Sequence, residues 1–558
     1  MSFFIAAPLL YFPYAAGEAY RGINIPQFGN DQHTYLSRGK EVLEGHPLGQ
    51  PFLAEGKGVQ DPTFNYAERI LLSPVVFLGQ EERVDIVTYF NIANTVGVFF
   101  LALVLYAFVY SLTKDRLLSV SISVFVLGGY SIVYTKTLFY TDFNSYGRSI
   151  YPYASSVPFF VFLILLYRRV IEDGKAIYLL GSTFFFGSLF YIYFYAWTFA
   201  TAFLGSLFLG LAVLKQWRKI MDVAIIGVGG LVIGSGMLWN FVPFLIKGLS
   251  DETSYYVFAS YGRHPVMSLV GLFLAAIFVV YAYLAREESV KTKIFFAALI
   301  AAGWIALNQQ LITGRYVQYG HYYWYFVVPL GIILGGYMAA RLLPTRFRVL
   351  FACSLIILAL VNTVGGQLKS FPTSFEDKLR EQDFAPILRE LGSLPSGVVF
   401  LGADGNATQL LVTIYTSHDL YWVFPAGIYS YPKDRVRDAL LVHLFLDTRS
   451  RKDPVAFLKS GLEKREKNTF STLYGDLEGI HSGLDYYEYQ RRIAQKELDP
   501  HLKKAREELL TELQDEYKSQ YESGARVKEL LERAGVQYIL WDKKIFPHFD
   551  ISALSPGP

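Results

Sequence analysis

The run Asp85–Lys114, DIVTYFNIANTVGVFFLALVLYAFVYSLTK, sets the class of this chain. Between its two end residues it carries no Asp, Glu, Lys or Arg. A helix needs about 20 mainly apolar residues to cross roughly 30 Å of hydrocarbon, so 85–112 reads as a membrane span. Working outward, nine more stretches qualify or nearly do with their flanks: 117–134, 153–167, 176–195, 197–214, 220–246, 265–285, 294–310, 324–341 and 347–367. Most are interrupted by short polar links with turn or charge signals.

The composition agrees. The 558 residues are 53% hydrophobic and only 18% charged, where a soluble domain carries about 25% charged residues. Of the 51 basic and 48 acidic residues, 55 of 99 follow Gln367, in about a third of the chain. The first two thirds are lipid-like and the last third resembles a soluble domain. A net charge of +3 points neither to nucleic acid nor to an acidic partner. The single cysteine, Cys353, lies in an apolar run and offers no disulfide framework.

Charge placement sets the orientation. Basic links holding Lys114 and Arg116; Arg168, Arg169 and Lys175; Lys215, Arg218 and Lys219; Arg286, Lys291 and Lys293; and Arg341, Arg346 and Arg348 alternate with poorer ones. The positive-inside rule puts the basic set in the cytoplasm. Residues 17–84 and everything after Gln367 then lie outside. The expected chain is a multi-pass protein of the cytoplasmic (plasma) membrane with an extracytoplasmic C-terminal domain.

Residues 2–16 are apolar but cover only about 22 Å as a helix, and no basic n-region or cleavage site marks a signal peptide. They are expected to be the outer half of a first span, with a re-entrant or interfacial helix as the alternative. The expected divisions are 1–16, a short or truncated first span; 17–84, a large first outer loop; 85–367, the helix bundle; and 368–558, a soluble α/β domain. Within that domain, 376–391 has a helical pattern, Val398–Leu401 and Val536–Trp541 read as strands, and Asp499–Tyr521 reads as a long charged helix. No Gly-rich phosphate loop, Cys/His metal cluster or nucleophile elbow occurs there. The fold expected is an α-helical polytopic membrane bundle of about 11 spans, the first one short, followed by a small extracytoplasmic α/β domain.

On this topology the polar residues share one side. The first outer loop carries Asp31 and His33, then Glu44, His46 and Asp61; the second carries Asp142, Asn144 and Arg148; later outer links add Arg263, His264, Arg315 and His321. Ionisable groups at a membrane boundary are costly unless hydrated or paired, so their convergence marks a site. Each one alone is equally well a solvated loop residue. Tyr191, Tyr193, Tyr195 and Trp197, and Tyr319, Tyr322, Tyr323, Trp324 and Tyr325, sit at outer span ends. Aromatic belts account for most such rings, although aromatic faces also suit sugars.

Three segments carry a resemblance. They are Asp31-Gln32-His33-Thr34-Tyr35-Leu36-Ser37-Arg38 with Glu44-Gly45-His46-Pro47, then Asn308-Gln309-Gln310 through Arg315 to His321-Tyr322-Tyr323-Trp324-Tyr325, and Ala534-Gly535-Val536-Gln537-Tyr538-Ile539-Leu540-Trp541-Asp542. With the order of loop, spans and outer domain, they resemble the GT-C superfamily, integral-membrane glycosyltransferases that use polyprenyl-phosphate-linked sugars. The resemblance implies a polyprenyl-phosphate sugar donor, a glycan, lipid or protein acceptor, and transfer at the outer face of the bilayer. It makes Asp31 the base or acceptor-positioning acid and Asp142 a second catalytic acid. His33, Arg148, Arg263, Arg315, His321, Tyr323 and Trp324 become candidates for holding substrate or lipid phosphate. A divalent cation, Mg or Mn, would bind Asp31 and Asp142. No paired acid stands at position 31, and the second loop lacks Asp-x-Asp, which counts against an obligatory metal. Two other classes stay open. One is a non-catalytic binding or assembly protein on the same scaffold. The other, a secondary transporter, needs polar residues at the midplane of broken helices, where this chain has almost no charge.

Overall fold

The computed structural model describes residues 1–25, 31–58, 66–140, 150–247, 253–254, 262–315, 317–402, 406–429, 431–432, 434–464, 466, 468–484, 486–495, 498–544 and 546–554. The chain is mostly helical and divides into two compact units. The first is Met1–Phe28, Asn65–Pro243 and Gly262–Gln382; the second is Gly29–Phe64, Phe244–Tyr261 and Asp383–Pro558.

Seven helices among the described residues are long and apolar enough to cross a membrane: Ile86–Thr113, Ala154–Ile171, Phe194–Val213, Trp217–Val242, Val290–Leu307, Gly320–Leu342 and Thr345–Gln382. Three further apolar helices, Arg116–Gly128, Ala176–Ile192 and Leu269–Leu284, are shorter. All ten stretches read from the sequence are thus largely helical. Four of them start at a side chain that accepts from an orphan backbone N–H group. Asp85 accepts from Thr88 at 2.8 Å and Asp115 from Leu118 at 3.0 Å; Ser268 and Ser289 do the same for Gly271 and Thr292.

Two boundaries differ from expectation. The break expected near Trp197 falls at Tyr193, a single extended residue between Ala176–Ile192 and Phe194–Val213. It has no Gly or Pro signal. The last span and the amphipathic segment after it are not separated near 367–376. One helix runs Thr345–Gln382, with Pro372 inside it, and a new one covers Ala385–Gly392. At 38 residues that helix is roughly 57 Å long, well beyond a bilayer's hydrocarbon. The short Ser2–Ala16 helix packs along it through Phe12 against Phe375 and Tyr11 against Phe371. The Gln382 amide then clamps the following segment, donating to the Ile23 carbonyl at 2.7 Å and accepting from the N–H groups of Arg21 and Ile23.

Within the same unit, Asn362 bridges a helix break. Its Nδ2 donates to the Gly128 carbonyl at 2.7 Å and its Oδ1 accepts from Phe139 N–H at 3.0 Å. Gly128 has to lack a Cβ here, since one would stand 2.7 Å from the Ala359 carbonyl oxygen.

The second unit is built on a three-stranded parallel sheet. Its order is Asp419–Leu420, Val398–Gly402, Val536–Trp541, with Val398 opposite Asp419 and Phe400 opposite Ile539. The central strand is buried throughout, and the Asn406–Tyr415 helix makes the crossover that parallel neighbours require. Residues of the first loop belong to this unit. The Asp31–Leu43 helix meets the crossover helix through Ser37 Oγ and Thr413 Oγ1, 2.8 Å apart. Leu420 N–H donates to the Phe52 carbonyl at 2.7 Å, and Thr253–Ser254 pairs antiparallel with Tyr431–Pro432.

His443 sits 6% exposed in this unit's core, its ring 4.8 Å from that of Phe400. Burial, with help from the nearby Arg435 charge, pushes its pKa down to about 4. Between that value and its ordinary 6.5, the unfolded chain binds a proton that the folded chain does not. Stability therefore falls as pH drops through this window. Thermal unfolding followed from pH 7 to 4 is expected to show that loss in the wild type and a shallower one in His443→Phe.

Candidate functional site

In the first unit, the extended Tyr193 turns the start of the Phe194–Val213 helix so that two tyrosines reach His321. Tyr193 OH is hydrogen-bonded to His321 Nδ1, and the Tyr195 ring stacks on the imidazole at 4.6 Å and 14°. Trp324 and Tyr325 approach the same ring at 5.3 and 5.9 Å. Members of both aromatic groups noted in the sequence therefore meet at one histidine, whereas Trp197 stacks on Phe190 and Tyr191 OH bonds to the Ile233 carbonyl. Trp324 Nε1 donates to Tyr134 OH at 2.9 Å, and Tyr323 packs on the same Tyr134 ring at 5.9 Å. Thr198 Oγ1 and Tyr322 OH, 2.7 Å apart, tie the enclosure to the helix that carries Tyr195.

Arg263 and Arg315 share a neighbouring turn of the chain. The Arg263 guanidinium donates to the carbonyls of Leu311 at 2.6 Å and Ile312 at 3.3 Å. Gly262 N–H donates to the Gly314 carbonyl at 2.9 Å. Gly314, at φ +70°, leaves room for the arginine, because a Cβ there would lie 3.3 Å from its Nη2. Gln309 Nε2 holds the Arg315 carbonyl at 2.8 Å, and Gln310 Nε2 holds that of His264 at 2.9 Å. Asn308 joins the turn to the start of the next segment through Val266, accepting from its N–H at 2.8 Å and donating to its carbonyl at 3.1 Å. In the same unit a small apolar crevice of about 20 Å³ is lined by Phe199, Gly271, Gly303, Trp304, Leu307 and Val327 among others.

In the second unit, Asp31 opens the Asp31–Leu43 helix; its side chain, like all of Asp61, Asp142, Asn144 and Arg148, lies outside the described residues. Gln32 and His33 follow, 0% and 2% exposed. The Gln32 amide is fully buried, and neither its nitrogen nor its oxygen is hydrogen-bonded. Further along, Glu41 Oε1 accepts from Lys57 at 2.7 Å and Glu41 Oε2 meets His46 Nδ1 at 2.9 Å. Lys57 also reaches Asp419 at 2.5 Å, so one ammonium joins the first loop to an edge strand of the sheet. Burial holds the carboxyls of Glu41 and Asp419 above their ordinary range, with Lys57 opposing it. Burial also works against the charge on Lys57, but Glu41 and Asp419 outweigh it and raise its pKa. Glu44 and His46 stand out in the sequence, but Lys57 and Asp419 do not. Their pairing spans more than 360 positions, and no local pattern signals it.

No family model and no curated protein matches the chain. Among solved structures it is similar to the oligosaccharyltransferase of Archaeoglobus fulgidus in the apo form, with a TM-score of 0.39 and 10% identity. That match covers 75% of this chain and 64% of the other. It is also similar to the archaeal oligosaccharyltransferase AglB from the same organism in complex with an inhibitory peptide and a dolichol-phosphate, at a TM-score of 0.41 and 9% identity. There the match covers 75% of this chain and 63% of that one. The chain thus spans slightly less than two thirds of each.

Removing one member of a buried ion pair leaves an uncompensated charge, which costs about 3–5 kcal/mol. Lys57→Met is expected to lower the unfolding free energy of the second unit by that order. Lys57→Met combined with Asp419→Leu should recover part of the loss. Thermal unfolding of the purified proteins in detergent measures both.

Proposed function

We propose that the chain is a membrane glycosyltransferase that moves a sugar from a polyprenyl-phosphate carrier to an acceptor on the outer face of the membrane. The observation that carries this reading is the gathering of Tyr193, Tyr195, Trp324 and Tyr325 around His321. It lies in the same unit as the Arg263–Arg315 turn and an apolar crevice between helices of membrane character. An anionic head on a long apolar tail calls for cations close to apolar helix surface, and aromatic faces suit the sugar. The acceptor would be a glycan, a lipid or a protein.

In the reaction, the Asp31 carboxylate accepts the proton of an acceptor hydroxyl as its oxygen attacks the anomeric carbon. The bond from that carbon to the phosphate oxygen breaks, and polyprenyl phosphate leaves with the electron pair. A carboxylate in reach of the hydroxyl contributes typically 10²–10⁴-fold as a general base. Arg263 and Arg315, with His321 and Arg148, stabilise the charge on the leaving phosphate. An arginine offers it a planar fork of donors. The buried, unbonded amide of Gln32 beside Asp31 supports a ligand at this end of the helix, since such groups in a native fold ask for a partner. His33 stands beside it on the same first turn. The divalent cation implied by the resemblance would be held by Asp31 and Asp142. The roles given to Asp31 and the arginines stand with or without it.

The test is transfer from a polyprenyl-phosphate sugar by the wild type and by Asp31→Asn. Asp31→Asn is expected to lower turnover by at least about 10²-fold while leaving donor binding in place. Unchanged turnover would remove Asp31 from the catalytic role. Arg263→Ala should act differently, raising KM for the donor, because it removes a phosphate partner and no proton acceptor.

A further inference from the structure

The spacing Glu41-x-x-Glu44-x-His46 places two carboxylates three residues apart, on one face at the end of the Asp31–Leu43 helix. Gly45, at φ +81°, reverses the chain directly after it. His46 N–H then donates to the Glu41 carbonyl at 2.9 Å, which brings the imidazole back over the helix end. Three atoms face one another as a result: Glu41 Oε2, Glu44 Oε2 and His46 Nδ1, with the nitrogen 2.9 Å from the first and 3.8 Å from the second. One such atom from each residue lies within 4.8 Å of the others.

The opposite oxygens face ammonium groups. Lys57 takes Glu41 Oε1 at 2.7 Å, and Lys40 stands 3.5 Å from Glu44 Oε1, a buried atom that accepts no hydrogen bond. Each carboxylate is thus oriented from behind by an ammonium and presents its second oxygen to the imidazole. Outer partners that orient the ligands are a regular feature of metal sites. A tetrahedral ion with bonds of about 2.0–2.1 Å separates its ligand atoms by roughly 3.3 Å, and the 2.9 and 3.8 Å separations bracket that value.

We propose that Glu41, Glu44 and His46 bind one divalent cation of the zinc or manganese type, with water completing its coordination. Carboxylate ligands suit manganese and imidazole suits zinc, and the nitrogen ligand disfavours calcium and magnesium. On binding, the imidazole takes its Nε2–H tautomer and the Nδ1 lone pair goes to the ion. Glu41 also holds Lys57, which holds Asp419, so the ion fastens the first-loop segment to the sheet of its own unit. The site uses none of the residues assigned to glycosyl transfer, and it does not depend on that reaction.

The experiment uses the full chain in detergent, stripped with chelator and then given Zn²⁺ or Mn²⁺, with Ca²⁺ and Mg²⁺ alongside. The wild type is expected to retain one Zn²⁺ or Mn²⁺ per chain by elemental analysis and to gain thermal stability from it. Glu44→Gln and His46→Gln should bind at least about tenfold more weakly and lose the gain. Asp419→Asn touches Lys57 but supplies no ligand, so it should keep the ion. Electron spin echo spectra of the Mn²⁺-loaded wild type should show a directly bound imidazole nitrogen, which needs no variant to fold. A wild type that retains no ion, variants that bind as well as the wild type, or manganese without a nitrogen ligand would each overturn the site.

Discussion

Hydrocarbon offers no water to backbone polar groups, so every N–H and C=O in a membrane segment has to find its partner inside the protein. The first unit meets that condition with long helices and spends its few polar side chains where the helices stop. Asn362 covers the break after Gly128, and Asn308, Gln309 and Gln310 bond to main-chain groups around Val266, Arg315 and His264. Carboxamides suit this work because one side chain both donates and accepts. They are also uncharged, which keeps their cost low near lipid.

The second unit solves a different problem. Its sheet has three strands among the described residues, two residues long at one edge, and does not by itself hold a segment as distant in sequence as 31–58. A hydroxyl pair, a main-chain bond from Leu420 to Phe52 and the ammonium of Lys57 supply the attachment. Arg435 adds to it, stacking on the Tyr421 ring at 4.1 Å and reaching Glu55 at 3.3 Å. The cations come from either side, Lys57 from the early segment and Arg435 from the late one. Neither segment is therefore complete in charge without the other.

The membrane helices were legible because their signal is local: uninterrupted apolar runs between charges. The strands Val398–Gly402 and Val536–Trp541 and the helix capped by Asp499 were legible for the same reason. What the pattern missed was either weak or long-range. Tyr193 breaks a helix without Gly or Pro, and Pro372 sits inside one without ending it. The joining of residues 31–58 to the sheet rests on contacts across more than 360 positions. The aromatic groups at span ends read as a membrane belt until their rings are seen around one histidine, since a belt and an enclosure have the same composition.

That enclosure bears on which cation would meet a phosphate. His321 is tied by Nδ1 to a tyrosine hydroxyl and covered by Tyr195, an arrangement that fixes the ring plane. Arg263 is anchored to two carbonyls of the turn carrying Arg315, yet its side chain is exposed. A guanidinium has five donors, and two carbonyls do not exhaust them. Held in this way, Arg263 loses little rotamer freedom when an anion arrives, whereas an unanchored lysine would lose much more. Gly314 suits the anchoring, since its positive φ favours glycine and a Cβ there would lie 3.3 Å from the guanidinium. In the proposed reaction, Arg263 is therefore the better-prepared phosphate partner and His321 the better-fixed wall of the sugar site.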